Sequence, residues 1–237
     1  MKIEVIWEDE DILAINKPYG LVVHSDGKSN RETLVDWISS NYPQTKDVGD
    51  NIILSNGEII KRPGIVHRLD METSGIMLIA KTNDSYACLK KQFQDREIEK
   101  NYRAFVYGEI KENAGVIDRP IARSKNDFRK WSAQRGSRGV AREAVTDFLV
   151  IKRFGEGTFL NISPKTGRTH QIRVHFKAIN HPVVCDKLYA PNNNPILGFK
   201  RLALHSFSIS FNNMKGERIS IEAPYPKDFE EAIKEIQ

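Results

Sequence analysis

The longest uninterrupted apolar run in the 237-residue chain is Gly75-Ile76-Met77-Leu78-Ile79-Ala80. A membrane-spanning helix needs roughly 20 such residues, so this run cannot cross a bilayer. Its length suits a strand buried on both faces. The neighbouring segments repeat that theme. Ile3 to Trp7 and Ile12 to Ile15 read as strands about the acidic turn Glu8 to Asp11, and Ile65-Val66 as the start of a buried strand. Lys100 to Tyr107, Ala144 to Ile151, Thr158 to Ile162, Phe207 to Phe211 and Arg218 to Ile221 read as further strands. Helices are fewer. One is opened by a capping box at Ser29-Asn30-Arg31-Glu32, and one starts at Asn83. A third covers Thr169 to Ala178, with Ile172, Phe176 and Ile179 on one face, and a short one follows Pro226. Pro43 to Gly64 reads as a loop with a small hairpin at Asn56-Gly57. Strands without regular βαβ alternation predict an α+β fold with a mostly antiparallel or mixed sheet. No repeat or low-complexity linker divides residues 1–237, a length that suits one large domain or two small ones.

With 40% apolar residues the chain can bury a core without disulfides or structural metals. Cys88 and Cys185 form no CxxC pair and no disulfide framework; two thiols suit a reducing cytoplasm. Glu4, Glu8, Asp9, Glu10 and Asp11 exclude a signal peptide at the N-terminus. The expected location is cytoplasmic, with no membrane contact.

The net charge of +5 is concentrated in one place. Arg119, Arg123, Lys125, Arg129, Lys130, Arg135, Arg138 and Arg142 face only one acid, Asp127, so residues 119–142 carry +7. The remaining 28 basic and 30 acidic residues carry −2. Such a ribbon is either a solvated surface hairpin or a grip on a polyanion. Self-repulsion within 24 residues favours the polyanion, because an anion screens it. Phe128 and Trp131 add rings able to stack on bases, which makes nucleic acid the expected partner. Arg129, Lys130, Arg135 and Arg138 are the expected contacts.

No GxxxxGK[ST] or strand-linked GxGxxG occurs, so no nucleotide cradle is expected. His67-Arg68-Leu69-Asp70 is not a kinase loop, since Leu69 separates Arg from Asp and no DFG follows. His170 and His175 are five apart, on different helix faces, unlike a zinc-binding pair. No metal is expected. Two segments carry chemistry. In Arg62 to Gly75, Asp70 sits where the chain turns between buried strands, either facing a cleft or capping the Thr73-Ser74 turn. In Ser163 to His175, Thr166-Gly167-Arg168-Thr169 forms a turn before a helix, where Arg168 and Arg173 invite a phosphate or a carboxylate.

Taken together, these segments resemble the RluA-type pseudouridine synthases. Lys17-Pro18-Tyr19-Gly20-Leu21-Val22-Val23-His24 is similar to the family's KPxGxxVH segment, and His67 to Asp70 with Thr73-Ser74-Gly75 to its HRLDxxTSG segment. Lys100-Asn101-Tyr102 resembles the strand bearing the active-site tyrosine, and Thr166 to Arg173 the third motif. His181-Pro182, Asp186, Tyr189 and Leu204-His205 match weaker signatures, and the likeness runs from about residue 3 to about 229. Five of the six histidines fall in these segments, and His175 lies two residues past the third motif. Two departures stand out: no N-terminal S4 RNA-binding domain fits before the core, and Cys185 stands where the family usually has glycine.

The resemblance implies a single catalytic domain over residues 1–237, with a mixed, mostly antiparallel central sheet flanked by helices and loops and an active-site cleft. It also implies a cofactor-free isomerisation of uridine in structured RNA, ribosomal or transfer, by a monomer. It implies Asp70 as the essential carboxylate and Tyr102 against the uracil. Arg68 would be the wedge that replaces an everted base. A carboxylate shielded from water needs an opposite charge to stay ionised, and Arg173 is the expected partner. The competing readings are a non-catalytic RNA-binding protein and a metal-free hydrolase using His67 and Asp70.

Overall fold

The computed structural model describes residues 2–25, 31–53, 57, 59–134 and 137–237. Contacts group the chain into two compact units: Met1–Glu99 with Ser208–Pro224, and Lys100–Phe207 with Tyr225–Gln237.

The first unit opens with β1 (Glu4–Glu8) and β2 (Ile12–Lys17), paired antiparallel. Asp9 closes their turn, its carboxylate accepting from the N–H groups of Asp11 (2.8 Å) and Ile12 (2.7 Å). Helix α1 (Leu34–Asn41) starts at Thr33, which exchanges hydrogen bonds with Asp36 in a capping box. The box expected at Ser29-Asn30 lies partly outside the described residues; the one that forms begins at Thr33, four positions later. Strands β3 (Ile52–Ile53) and β4 (Ile59–Ile60) pair antiparallel across the expected turn, of which Asn56 lies outside the described residues. Strand β5 (Ser74–Ala80) is buried along its whole length and pairs with β2 from Lys17↔Gly75 to Ile12↔Ala80. Helix α2 (Asn83–Gln94), capped by Thr82 and Ser85, buries Leu89 and carries the half-buried Cys88.

One expected strand does not form. Ile65 makes a single bridge to Ile79, because the Ile65 N–H closes a turn onto the Arg62 carbonyl and Gly64 holds φ at +66°. A Cβ at Gly64 would lie 2.2 Å from the Ala80 carbonyl oxygen, so only glycine passes there.

The second unit contains β6 (Glu99–Tyr107), β7 (Ala114–Asp118), β8 (Ile121–Arg123), β9 (Trp131–Ser132), β10 (Arg138–Arg142), β11 (Val145–Arg153) and β12 (Gly157–Pro164). Four of them run in the order β6–β12–β11–β7, every pair antiparallel. Helix α3 (Gln171–Ala178) follows. It starts two residues later than the periodicity predicts, because His170 takes a left-handed conformation at φ 56° and breaks the helical run. Strand β13 (Leu204–Asn212) straddles the two units, and its second half pairs with β14 (Arg218–Glu222). Helix α4 (Lys227–Glu235) ends the chain. The core of this unit is aromatic: Phe105 stacks on Phe159 at 4.5 Å and meets Phe199 and Phe229. Ring pairs of this kind add about 0.5–1.5 kcal/mol beyond area burial.

The basic segment is a three-stranded antiparallel sheet in the order β10–β8–β9, one strand more than a hairpin. No described helix is long and apolar enough to cross a membrane.

Candidate active site

In the first unit, Asp70 begins a tight turn whose closing bond runs from the Thr73 N–H to the Asp70 carbonyl oxygen (3.1 Å). The backbone closes this turn. Leu69 is buried while Arg68 is exposed and Asp70 half-buried, so one apolar anchor holds two polar neighbours at the surface. The next residue along is clamped from below. Lys17 is completely buried, and its ammonium donates to the carbonyls of Pro18 (2.8 Å), Leu21 (3.0 Å) and Met71 (3.2 Å). The Gly20 N–H also donates to Met71 (2.7 Å), so the Lys17-to-Leu21 loop and the Asp70 turn share one buried charge. A charge in that position is tolerable only with such full hydrogen bonding. On the other side, His67 Nε2 accepts from the Leu78 N–H of β5 (2.9 Å), and its ring lies 4.7 Å from Phe93. The neighbourhood is electropositive: burial first, then the charges of Arg62 and Arg68, hold the His24 imidazole below its ordinary range.

In the second unit, Arg173 on α3 grips Asp186 side-on, Nε to Oδ2 at 2.7 Å and Nη2 to Oδ1 at 2.9 Å. Both side chains are buried, 6% and 0% exposed. Asp186 also accepts from the N–H groups of Leu188 and Tyr189 (both 3.0 Å), which fixes its carboxylate. Arg173 lies 5.2 Å from the Tyr189 ring, and the Tyr189 hydroxyl meets His170 Nδ1 (3.0 Å) and accepts from the Trp131 N–H of β9 (2.9 Å). Asp70 belongs to the first unit and Arg173 to the second, and the ion pair expected between them stays a proposal.

The turn before α3 does not present an open anion nest. The Gln171 carboxamide oxygen accepts from the Arg168 N–H (2.9 Å) and the Thr166 hydroxyl (2.7 Å). Its amide donates to Val145 O and Thr146 Oγ1, both at 3.0 Å. The helix thus fills its own N-terminal approach, and the Arg168 side chain reaches the Glu143 carbonyl (2.9 Å). Tyr102, opposite Ile162 in the β6–β12 register, is half-buried at the margin of the aromatic core. Asn101 beside it accepts from the Ser163 hydroxyl (2.6 Å).

On the ribbon, Arg138 stands directly across from Arg123. Like charges opposite each other on a strand pair repel unless an anion lies between. Arg129 is engaged locally, donating from Nε (3.0 Å) and Nη2 (2.8 Å) to Asp127. Arg135 lies outside the described residues. Trp131 is half-buried: Arg123 lies over its ring at 4.2 Å, and it packs on a small cluster of Ile121, Ala144, Val174 and Tyr189. Arg119 donates to the Ala178 carbonyl (2.8 Å) at the C-terminus of α3, which favours a cation.

Cys185 has φ 57°, the left-handed region, which accounts for the glycine usual there. Its thiol donates to Phe199 O (3.2 Å), and burial pushes its pKa up. Among the described residues, no three of His, Cys, Asp and Glu cluster as metal ligands.

Residues 11–178 match the family model described as RNA pseudouridylate synthase. The chain belongs to the RNA pseudouridylate synthase family. Its members isomerise uridine in RNA to pseudouridine. An uncharacterized RNA pseudouridine synthase of Bacillus subtilis is 35% identical over 238 residues, covering all of this chain and 74% of that protein. One from Aquifex aeolicus is 38% identical, covering 96% of this chain and 71% of its own. The ribosomal large subunit pseudouridine synthase D of Neisseria meningitidis is 34% identical, covering 96% and 59%. The fold is shared with human RNA pseudouridylate synthase domain containing 4, at TM-score 0.75 and 22% identity, covering 98% of this chain and 92% of that one. In this pseudouridylate synthase the family match takes in Lys17, Asp70, Tyr102, the ribbon and Arg173, and ends before Asp186 and Tyr189.

Sequence reasoning gave no role to Lys17, Gln171, Asp186 or Tyr189. Two signals were present: an acid directly after the apolar run Pro182-Val183-Val184-Cys185, and a lysine closing a strand that opens with the apolar run Ile12-Leu13-Ala14-Ile15.

Proposed function

We propose that this pseudouridylate synthase isomerises uridines of structured ribosomal RNA, with Asp70 as the essential carboxylate. The observation that carries this assignment is the construction of the Asp70 turn, tied down by Leu69, by the buried Lys17 ammonium and by His67 while Asp70 itself is only half-buried. Relatives named for the large ribosomal subunit favour ribosomal over transfer RNA.

The reaction breaks the uridine N1–C1′ bond, rotates the uracil, forms a C5–C1′ bond and transfers the C5 proton to N1. Atoms and electrons balance, so no redox partner or net hydrolysis is required. Asp70 acts as nucleophile or base on the nucleotide. Tyr102 packs against the uracil, and Arg173, oriented by Asp186, supplies positive charge to the same reaction. Arg68, exposed two residues before Asp70, enters the space of the everted base, whose extrusion costs a few kcal/mol. Arg129, Lys130, Arg135, Arg138 and Arg168 contact the RNA backbone. Both units form one catalytic domain, a reading supported by a family match that runs across residue 99. The enzyme works as a cytoplasmic monomer.

Tritium release from [5-³H]uridine-labelled ribosomal RNA, with mass analysis of the product, tests this. Asp70→Asn is expected to abolish release while RNA affinity stays within about twofold. Turnover by that variant would remove Asp70 from the role. Release from transfer RNA alone would reassign the substrate.

A further inference from the structure

The ribbon ends in a tip, residues 124–130, between β8 and β9. This tip is closely hydrogen-bonded. The Ser124 N–H donates to Lys130 O, and the Lys130 N–H to Asp127 O, both at 3.0 Å. The Arg129 N–H donates to Asp127 Oδ1 at 2.9 Å, and Arg123 Nη1 to the Phe128 carbonyl at 3.0 Å. The backbone on either side of Phe128 is therefore fixed. Phe128 itself is 83% exposed.

That combination needs an explanation. Leaving a phenyl ring in water forgoes its burial, and a hydrogen-bonded tip holds it there. The other aromatic of the segment shows the contrast: Trp131 is half-buried, covered by Arg123 and tied to Tyr189 through its own N–H. One ring builds the ribbon and the other is displayed by it. The charge around the displayed ring restricts what can cover it. Along the chain Lys125 lies three residues before it and Lys130 two after, and Arg138 faces Arg123 across the β8–β10 pair. A flat apolar surface carried on a polyanion fits, and an unpaired nucleobase is that surface. A base inside a duplex is already stacked on both faces and offers none.

We infer that Phe128 is a stacking platform for one unpaired base of the substrate RNA, so that the ribbon selects loops or bulges over continuous duplex. The inference rests on the RNA reading of the ribbon given above and adds which RNA feature it reads. Because the tip is already ordered, stacking costs little further conformational entropy. Through Trp131 and Tyr189 the platform is anchored to the same network that holds Arg173.

The test uses the whole chain and two probes: a hairpin RNA with a single 2-aminopurine in its loop, and a blunt duplex RNA of matching length. Phe128→Ala is expected to weaken hairpin binding by about tenfold, the usual size of a base–aromatic stack. It should leave duplex binding and the slope of log K against log salt unchanged, since no phosphate contact is lost. Phe128→Trp is expected to restore hairpin affinity and quench the 2-aminopurine. Unchanged hairpin affinity in Phe128→Ala, or an equal loss on both RNAs, overturns the platform. Lys125→Gln with Lys130→Gln separates the two levels: it should weaken both RNAs and flatten the salt slope by about 0.7–0.9 per contact. A flattened slope with a silent Phe128→Ala overturns stacking alone. An unaltered slope overturns the RNA reading of the ribbon, and the platform with it.

Discussion

Among the described residues of the second unit, three arginine–aspartate forks use the same pair of nitrogens; two of them, Arg173–Asp186 and Arg129–Asp127, differ in burial and in separation along the chain. Arg173 and Asp186 meet at 6% and 0% exposure, 13 residues apart, with the aspartate held by two further backbone N–H groups. Arg129 and Asp127 meet at 65% and 19% exposure, two residues apart, on the ribbon tip. The first fork cannot trade its partner for water, so each residue depends on the other. The second can exchange either partner with solvent or with an arriving phosphate. Buried, the fork fixes an orientation; exposed, it holds a cation in reserve.

The sharpest way to break this contrast is Asp186→Ala. It leaves a buried guanidinium without its carboxylate and is expected to cost roughly 3–5 kcal/mol, read as a lowered urea midpoint, together with most of the isomerase activity. A loss below about 1 kcal/mol would erase the distinction between the forks. A smaller effect is expected from acid. His175 on α3 is fully buried, meeting Thr146 Oγ1 and the Arg119 carbonyl at 2.9 Å each, and burial is the first cause holding it below its ordinary range. Its folded value lies below the unfolded one, so its contribution is complete above about pH 6.5 and is lost as pH falls toward the folded value. Urea midpoints measured downward from about pH 7 should fall by at most about 1.4 kcal/mol per pH unit, and His175→Gln should flatten that slope. Asp127→Asn is expected to have the smallest effect on folding, with no measurable shift in the urea midpoint. Arg129 holds the Asp127 carboxyl down to about 2 through its side-chain hydrogen bonds, so this pair also outlasts moderate acid. Freed from Asp127, Arg129 should tighten RNA binding and steepen its salt dependence. A stability loss matching that of Asp186→Ala would show that exposure does not separate the two.

Legibility in the sequence followed the same line. Strand β5 could be read directly, because a short continuous apolar run has few other uses. The basic ribbon was visible as charge, but its three strands were not, since β8 and β9 are three and two residues long and carry no periodicity. The start of α3 was misplaced by His170, whose backbone conformation no propensity announces. The Asp70 turn was readable as a motif. The buried charges that organise both units, Lys17 and Asp186, gave only local hints, because their partners are backbone carbonyls or residues far along the chain. Trp131 and Phe128 looked alike in sequence and were separated by what covers each.

The two thiols fall one to each unit, Cys88 on α2 and Cys185 at the end of the apolar run Pro182 to Cys185, both half-buried. Nature has thereby installed a pair of native reporters. Alkylation followed by mass spectrometry can clock the breathing of each half separately, with no label introduced and no residue replaced.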